Sequence, residues 1–215
     1  MLRRDISNEA GARSDGLMIV SVIFIATFTY IAFTTSPVYT GVGIGDRAPE
    51  LTGEVWDGNT WTSFDLHENL DPDWVEGSGE GTWYMIEFMD TNCGACQNAA
   101  SSNGKIPAQQ AKWLGENGRS VPENTTVEFL AVAIALHPDS WDYGTQEIID
   151  FKTDYNQNFP FMDDHDNSNQ NVWEIPGTPT YFLIAPNGII EYASPEDNSR
   201  DVWDAMEEKI PRGDS

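Results

Sequence analysis

Hydrophobic positions along this chain fall into one long apolar run near the N-terminus and several shorter runs separated by polar turns. The long run covers 17–33 and contains no charged residue. Short runs rich in branched and aromatic residues predict β-strands, and an apolar stripe at helical spacing predicts a helix. The predicted strands are 54–56, 60–62, 83–89, 126–134, 180–184 and 189–192, and the predicted helices are 93–118, 140–155 and 199–209.

Turn and breaker residues refine these predictions. Asp57-Gly58-Asn59 and Pro186-Asn187-Gly188 each join two short strands and predict two β-hairpins. Pro107 should kink or split the helix at 93–118, because proline lacks the N–H group and clashes with the preceding turn. Ser140 is a candidate N-cap for the next helix, and 163–169 reads as an acidic loop. The order of elements predicts an α/β domain with a central mixed sheet flanked by helices.

The apolar run at 17–33 is long enough for most of a bilayer, since about 1.5 Å per residue gives roughly 25 Å. It exceeds the core of a cleaved signal peptide and is followed by no Ala-x-Ala site, which favours an uncleaved anchor. Arg3, Arg4 and Arg13 precede it, so the positive-inside rule places the N-terminus in the cytoplasm. The predicted organisation is a cytoplasmic N-terminus at 1–16, a single transmembrane helix at 17–38, a tether at 39–44 and an extracytoplasmic domain at 45–215.

The charge balance limits the partners of that domain. Asp and Glu outnumber Lys and Arg by 35 to 11, giving a formal net charge of −24. Such a surface repels nucleic acid and anionic headgroups, which excludes nucleic acid as a partner. Because the acidic residues are dispersed among apolar segments, the chain should fold, and its surface resembles that of a salt-adapted protein.

The two cysteines of the chain, Cys93 and Cys96, stand two residues apart directly after a predicted strand. A disulfide between them would constrain almost none of the unfolded chain, so a reactive pair is a better explanation than a structural one. At the first turn of a helix, the free N–H groups stabilise a thiolate. The alternative is half of a zinc site, but His67, His137 and His165 are scattered along the sequence. The sequence therefore indicates redox chemistry, with no metal site and no cofactor.

A strand, a Cys-x-x-Cys motif at a helix start and Thr178-Pro179 before a ββα ending together resemble the thioredoxin fold. With the opening at 45–49, the hairpin after it and one N-terminal span, the chain is most similar to membrane-anchored, extracytoplasmic thioredoxin-like proteins. Such proteins act in thiol–disulfide interchange and in cytochrome maturation. The likeness covers roughly 45–212.

This resemblance implies a role for each matching residue. Cys93 would be the exposed nucleophile and Cys96 the buried resolving thiol, while Thr178 and Pro179, the latter as the cis-proline of the family, would contact the substrate. Glu87 lies where thioredoxins place a buried acid that relays the proton of the resolving cysteine, and burial would raise its pKa towards neutrality. The alternative for Glu87 is a surface position on the other face of the strand.

The implied function is that of a membrane-tethered thiol–disulfide oxidoreductase. It would exchange disulfides with extracytoplasmic proteins and be recycled by a membrane redox partner. Asn92 and Ala95 depart from the tryptophan and proline frequent at these positions, which leaves the reduction potential open.

Two other functions of thioredoxin-like proteins match the sequence less well. A peroxiredoxin pattern would need Pro and Thr in place of Ile86 and Asp90, so peroxidase activity is not expected. The remaining alternative is an extracytoplasmic copper-delivery protein of thioredoxin-like fold, with two thiolates and a histidine such as His165 as ligands. That family spaces its cysteines by three residues, whereas the spacing here is two.

Overall fold

A computed structural model of the chain describes residues 9–34, 38–75, 81–115, 118–194 and 199–213. The chain divides into two compact units, Met1–Val38 and Tyr39–Ser215. The first unit contains helix α1 (Glu9–Thr34), whose described side chains at 16–30 are exposed.

The predicted transmembrane helix at 17–38 is helical over most of its length, but the structure does not confirm it as a membrane span. In the part of the chain that the structure describes, no helix has the length and apolarity that crossing a membrane requires. Residues 35–37 of the predicted span lie outside the described residues.

The second unit is built on one mixed sheet, as the sequence predicts, but over the described residues the sheet has seven strands where the sequence predicted six, because the strand Phe161–Asp164 was not foreseen. Its elements are β1 (Thr52–Trp56), β2 (Trp61–Asp65), β3 (Gly81–Met89), α2 (Gly94–Ala100), α3 (Lys105–Leu114), β4 (Thr125–Ile134), α4 (Thr145–Asp154), β5 (Phe161–Asp164), α5 (Ser168–Val172), β6 (Thr180–Ile184), β7 (Ile190–Ala193) and α6 (Val202–Lys209). The strands lie in the order β2-β1-β5-β4-β3-β6-β7. β3, β4 and β5 are parallel, whereas β1, β2, β6 and β7 pair antiparallel, and both predicted hairpins are present.

Strand β3, which lies between β4 and β6, is buried on both faces and contributes to two apolar clusters. Met85 and Met89 face one cluster, which also contains buried side chains of α2, α3, α4 and α6. Ile86 and Phe88 face the opposite cluster, which includes Trp173 directly after α5. Since successive side chains of a strand alternate between faces, Glu87 points to the same side as Met85 and Met89.

The predicted helix at 93–118 is interrupted earlier than expected. α2 ends where Ser101 is extended, and α3 begins at Lys105. Pro107 lies in the first turn of α3, where its missing N–H group has no helical partner to lose. Pro107 therefore does not break the helix, and that detail of the prediction was wrong.

Two further elements differ from the sequence predictions. α4 begins at Thr145 with Gly144 as its N-cap, so Ser140 is not the cap. Residues 163–169 are not a single acidic loop, because Asp163 and Asp164 continue β5 and Ser168 begins α5. The buried Asp164 carboxylate accepts hydrogen bonds from backbone N–H groups of α5, which explains an acidic residue inside a strand.

The segment before β1 is held against the end of the sheet by backbone hydrogen bonds. Gly45 N donates to Ile190 O of β7 at 2.8 Å, and Ile190 N donates to Asp46 O at 2.9 Å. The predicted boundaries of the tether at 39–44 and of the domain at 45–215 stay predictions.

Candidate active site

The turn after β3 places Cys93 at the start of α2. Cys93 is the N-cap of that helix, with an extended backbone. Its N–H group donates to Asp90 O at 3.0 Å, while the Asp90 carboxylate accepts a hydrogen bond from Asn92 N at 2.7 Å. Both bonds fix the three-residue turn between strand and helix, so the position of Cys93 follows from the end of β3.

Two cysteines and the loop before β6 meet at this helix start. Both thiols are free, Cys93 is half-buried, and Cys96 is 1% exposed. Cys96 N donates to Cys93 Sγ at 3.4 Å, and the Cys93 thiol donates to Thr178 O at 3.5 Å. The Thr178–Pro179 peptide bond is cis. The structure thus brings Cys93, Cys96 and Thr178 together with Pro179 adjoining, and their roles stay predictions.

The surroundings of the two thiols shift their pKa values in opposite directions. Burial alone would raise the pKa of Cys93, but the Cys96 thiol, the Thr178 side chain and N–H groups at the start of α2 favour the thiolate, and the net pKa is lowered. The pKa of Cys96 is raised, first by burial, then by its hydrogen bond with the Cys93 thiol and by the charge of Glu87. The thiolate is therefore favoured at Cys93 and the protonated thiol at Cys96.

Glu87 is buried on the α2 side of the sheet, not on the surface. Its side chain is 2% exposed, and burial raises its pKa to about 7. The hydroxyl of Tyr181 on β6 donates to Glu87 Oε1 at 3.1 Å and acts in the opposite direction, lowering that pKa. Sequence reasoning missed Tyr181, because its contact depends on the β3–β6 register across 94 positions. No local motif signals it.

A second buried carboxylate, that of Asp90, adjoins the site. Sequence reasoning did not assign it to the site. Asp90 is 2% exposed and accepts hydrogen bonds from Leu136 N at 3.1 Å and from the Tyr143 hydroxyl at 2.7 Å. Burial and the Asp90 carboxylate raise the pKa of Tyr143 to about 12. Asp90 therefore ties the turn before Cys93 to the segment after β4. The available signal was a charged residue directly after an apolar strand.

The ligands required by the copper alternative are not assembled. Among the described residues, no group of three or more His, Cys, Asp or Glu side chains is placed to hold a metal ion. His165 lies instead with its Nδ1 3.2 Å from Asp163 Oδ1 and its ring 5.2 Å from that of Tyr143.

Comparison with solved structures assigns the architecture. The thioredoxin domain of a thiol-disulfide oxidoreductase from Bacteroides vulgatus matches with a TM-score of 0.52 and 15% identity, covering 79% of this chain and 99% of that chain. The fold is thioredoxin-like. A thioredoxin-like superfamily protein gives a TM-score of 0.52 at 19% identity, covering 78% of this chain and 96% of that one.

A Chlorobium tepidum protein assigned as the thiol:disulfide interchange protein DsbE matches with a TM-score of 0.50 and 19% identity. It covers 79% of this chain and 96% of its own. At these identities the likeness establishes the thioredoxin-like fold alone. No protein-family model matches the chain, and no curated protein matches its sequence.

Proposed function

We propose that this protein is a thiol–disulfide oxidoreductase in which Cys93 attacks and Cys96 resolves. The observation that carries the proposal is the contrast between the two thiols. Cys93 is half-buried with a lowered pKa, whereas Cys96 is buried with a raised pKa. Such a contrast suits disulfide exchange, which needs one reactive thiolate and one thiol held back until a mixed disulfide has formed.

The reaction in the reducing direction has two steps. The Cys93 thiolate attacks one sulfur of a substrate disulfide, forming a mixed disulfide and releasing the first substrate thiolate, which takes a proton from solvent. Cys96 then loses its proton and attacks Cys93 Sγ. The bond between Cys93 and the substrate breaks, the second substrate thiolate leaves and is protonated, and Cys93 and Cys96 end as a disulfide. Two electrons have passed to the substrate, and the reverse sequence oxidises a dithiol.

Glu87 is the group proposed to take the proton of Cys96. A general base works best when its pKa lies near the working pH, and the pKa of about 7 meets that condition. A carboxylate with an ordinary pKa would be a weaker acceptor for a thiol whose pKa is raised. Burial of Glu87 therefore makes its carboxylate a better proton acceptor, whereas burial of Cys96 opposes loss of the thiol proton.

The location and partners are also proposals. We infer from the uncharged run at 17–33 and the preceding arginines that 17–38 anchors the chain in the cell membrane, with the N-terminus in the cytoplasm. The domain would then act on extracytoplasmic protein thiols and disulfides and be recycled by a membrane redox partner. The composition supports an exposed domain, because its net negative charge favours solubility.

Single cysteine variants test the chemistry. Cys93→Ser should abolish reduction of a model disulfide, whereas Cys96→Ser should still attack and accumulate a mixed disulfide that a reductant releases. Because the chain has two cysteines in all, any trapped adduct in Cys96→Ser lies on Cys93. Protein alkylated at both thiols is the control. Faster alkylation of Cys96 than of Cys93 in the reduced protein would overturn the assignment.

Membrane extraction tests the anchor separately. The full chain should sediment with membranes, resist alkaline extraction and dissolve in detergent, while a chain beginning at Tyr39 should not sediment. Recovery of the full chain from the supernatant would remove the anchor and leave the chemistry untouched.

A further inference from the structure

The buried Glu87 and the partly buried Tyr181 form a pair across two neighbouring strands. The two residues are opposite each other in the antiparallel register of β3 and β6, so their side chains lie on the same face of the sheet. In the described part of the chain, the Tyr181 hydroxyl is the hydrogen-bond partner of the Glu87 side chain, at 3.1 Å. The Tyr181 ring packs against Trp203 of α6, with centroids 5.9 Å apart. That packing fixes the ring and hence the direction of its hydroxyl.

The elements around this pair contribute few other titratable groups. On β4, the residue in register with Glu87 is Ala131, and α6 contributes the uncharged Trp203. α2 contributes the two thiols, Cys93 and Cys96, whose charges act on Tyr181. Burial, then the charge of Glu87 and its hydrogen bond, and last the two thiols raise the pKa of Tyr181, so its hydroxyl keeps its proton and acts as a donor. The Tyr181 hydrogen bond is thus the interaction that opposes protonation of Glu87.

We propose that Tyr181 is a positioning residue whose hydroxyl holds the Glu87 carboxylate ionised and oriented to receive the proton of Cys96 during resolution. The proposal rests on the proposed function. In that step the Cys96 S–H bond breaks and its proton moves to Glu87, giving a neutral carboxylic acid. The new Cys96 thiolate attacks Cys93 Sγ, and the substrate thiolate departs with the electron pair of the broken disulfide bond. Glu87 later returns the proton to solvent.

Tyr181→Phe isolates the hydroxyl, because it keeps the ring that packs on Trp203. A hydrogen bond to a charged group stabilises it enough to shift its titration by roughly one pH unit. The midpoint of the resolution rate against pH should therefore rise by about one unit. If the midpoint starts near 7, resolution at that pH should slow about fivefold, and the rates should converge near pH 9.

Dithiobis-nitrobenzoate is a suitable probe for the reduced full-length protein, since each step releases a coloured thiolate. The first release reports attack by Cys93 and depends on probe concentration, whereas the second reports resolution by Cys96 and does not. Tyr181→Phe should change the pH profile of the second phase and leave the first nearly unchanged. If the pH profile of the second phase is the same in Tyr181→Phe as in the unaltered protein, the proposal is overturned.

Tyr192→Phe is the matched control. It removes the hydroxyl of a buried tyrosine on β7, which donates to Arg200 O at 3.4 Å. This control should leave both phases as in the unaltered protein. In a Glu87→Gln background, Tyr181→Phe should cause no further change in the second phase, and an equal shift there would contradict the proposal.

A second variant keeps the test decisive if Tyr181→Phe fails to fold. Glu87→Asp retains a carboxylate but shortens the side chain, which withdraws it from the Tyr181 hydroxyl. It should shift the second phase to higher pH in the same way, and an unshifted profile would overturn the proposal. Failure of the proposed function has a different signature, because the unaltered protein would then show no second release that depends on Cys96.

Discussion

Replacing Glu87 by glutamine should remove a pH dependence of folding that its buried carboxyl imposes. Glu87 is 2% exposed, and burial raises its pKa from the ordinary value of 4.5 to about 7. Glutamine has nearly the same shape and is neutral at every pH. The comparison between the two proteins therefore isolates the ionisation of this one group.

The sign follows from proton binding. Because the pKa of Glu87 is higher in the folded protein, the folded state binds more protons than the unfolded state between pH 4.5 and about 7. The contribution of Glu87 is then fully present below pH 4.5 and is lost as the pH rises through 7. Each unit of pKa shift corresponds to about 1.36 kcal/mol, so the loss amounts to about 3 kcal/mol.

Equilibrium unfolding in urea, followed by tryptophan fluorescence from about pH 4.5 to 8, measures this difference. All eight tryptophans lie in the unit Tyr39–Ser215, so the signal reports that unit. Across this range the unaltered protein should lose about 3 kcal/mol more stability than Glu87→Gln. Glu128, whose pKa is also raised by burial, is common to both proteins and cancels.

Glu123→Gln, which removes an exposed carboxyl, controls for the change in net charge. Equal pH dependence in Glu87→Gln and the unaltered protein would refute the view that Glu87 is a desolvated acid. The roles assigned to Glu87 and Tyr181 would then lose their physical basis.

Three other predictions concern groups outside the dithiol. Tyr143→Phe removes a donor from the buried Asp90 carboxylate and should lower the free energy of unfolding by roughly 1.5–3 kcal/mol in the same urea assay. Burial lowers the pKa of Lys152 to about 8, so the unaltered protein should gain stability relative to Lys152→Met as the pH rises from 8 towards 10.5; parallel curves would contradict this. Sodium chloride from about 0.01 to 1 M should raise the thermal midpoint by screening the repulsion of a net charge of −24, and indifference to salt would count against a salt-adapted surface.

The sequence predicted those parts of the fold that depend on local patterns. The continuous apolar run of β4 and the turn residues of both hairpins identified strands within a few positions. The break between α2 and α3 was misplaced, because a proline in the first helical turn looks the same in the sequence as one that breaks a helix. β5 was missed because its last residue, Asp164, is an acid buried by hydrogen bonds to the helix that follows.

The site was predicted only as far as its residues are close in sequence or match a known motif. Cys93 and Cys96 share one helical turn, and spacing alone identifies them. Tyr181, the partner of Glu87, cannot be identified in this way, because the register of β3 and β6 determines which residue lies opposite Glu87. A shift of one residue would move Tyr181 to the other face of the sheet and leave the carboxylate without its donor. Side-chain chemistry that depends on register appears only when the sheet is assembled.

The energy of the buried carboxyl itself separates a structural role from a chemical one for Glu87. Above pH 7 its ionisation costs the fold about 3 kcal/mol relative to a neutral side chain of the same shape. Glutamine or methionine could fill the space between Met85 and Met89 without that cost. A purely structural position therefore gains nothing from a glutamate. A proton acceptor beside a thiol of raised pKa does gain, because its affinity for protons comes from the same burial that destabilises it. If Glu87→Gln is more stable at pH 8 yet slower in resolution, both halves of this reasoning hold, whereas a variant that is more stable and equally fast would assign Glu87 no part in the chemistry.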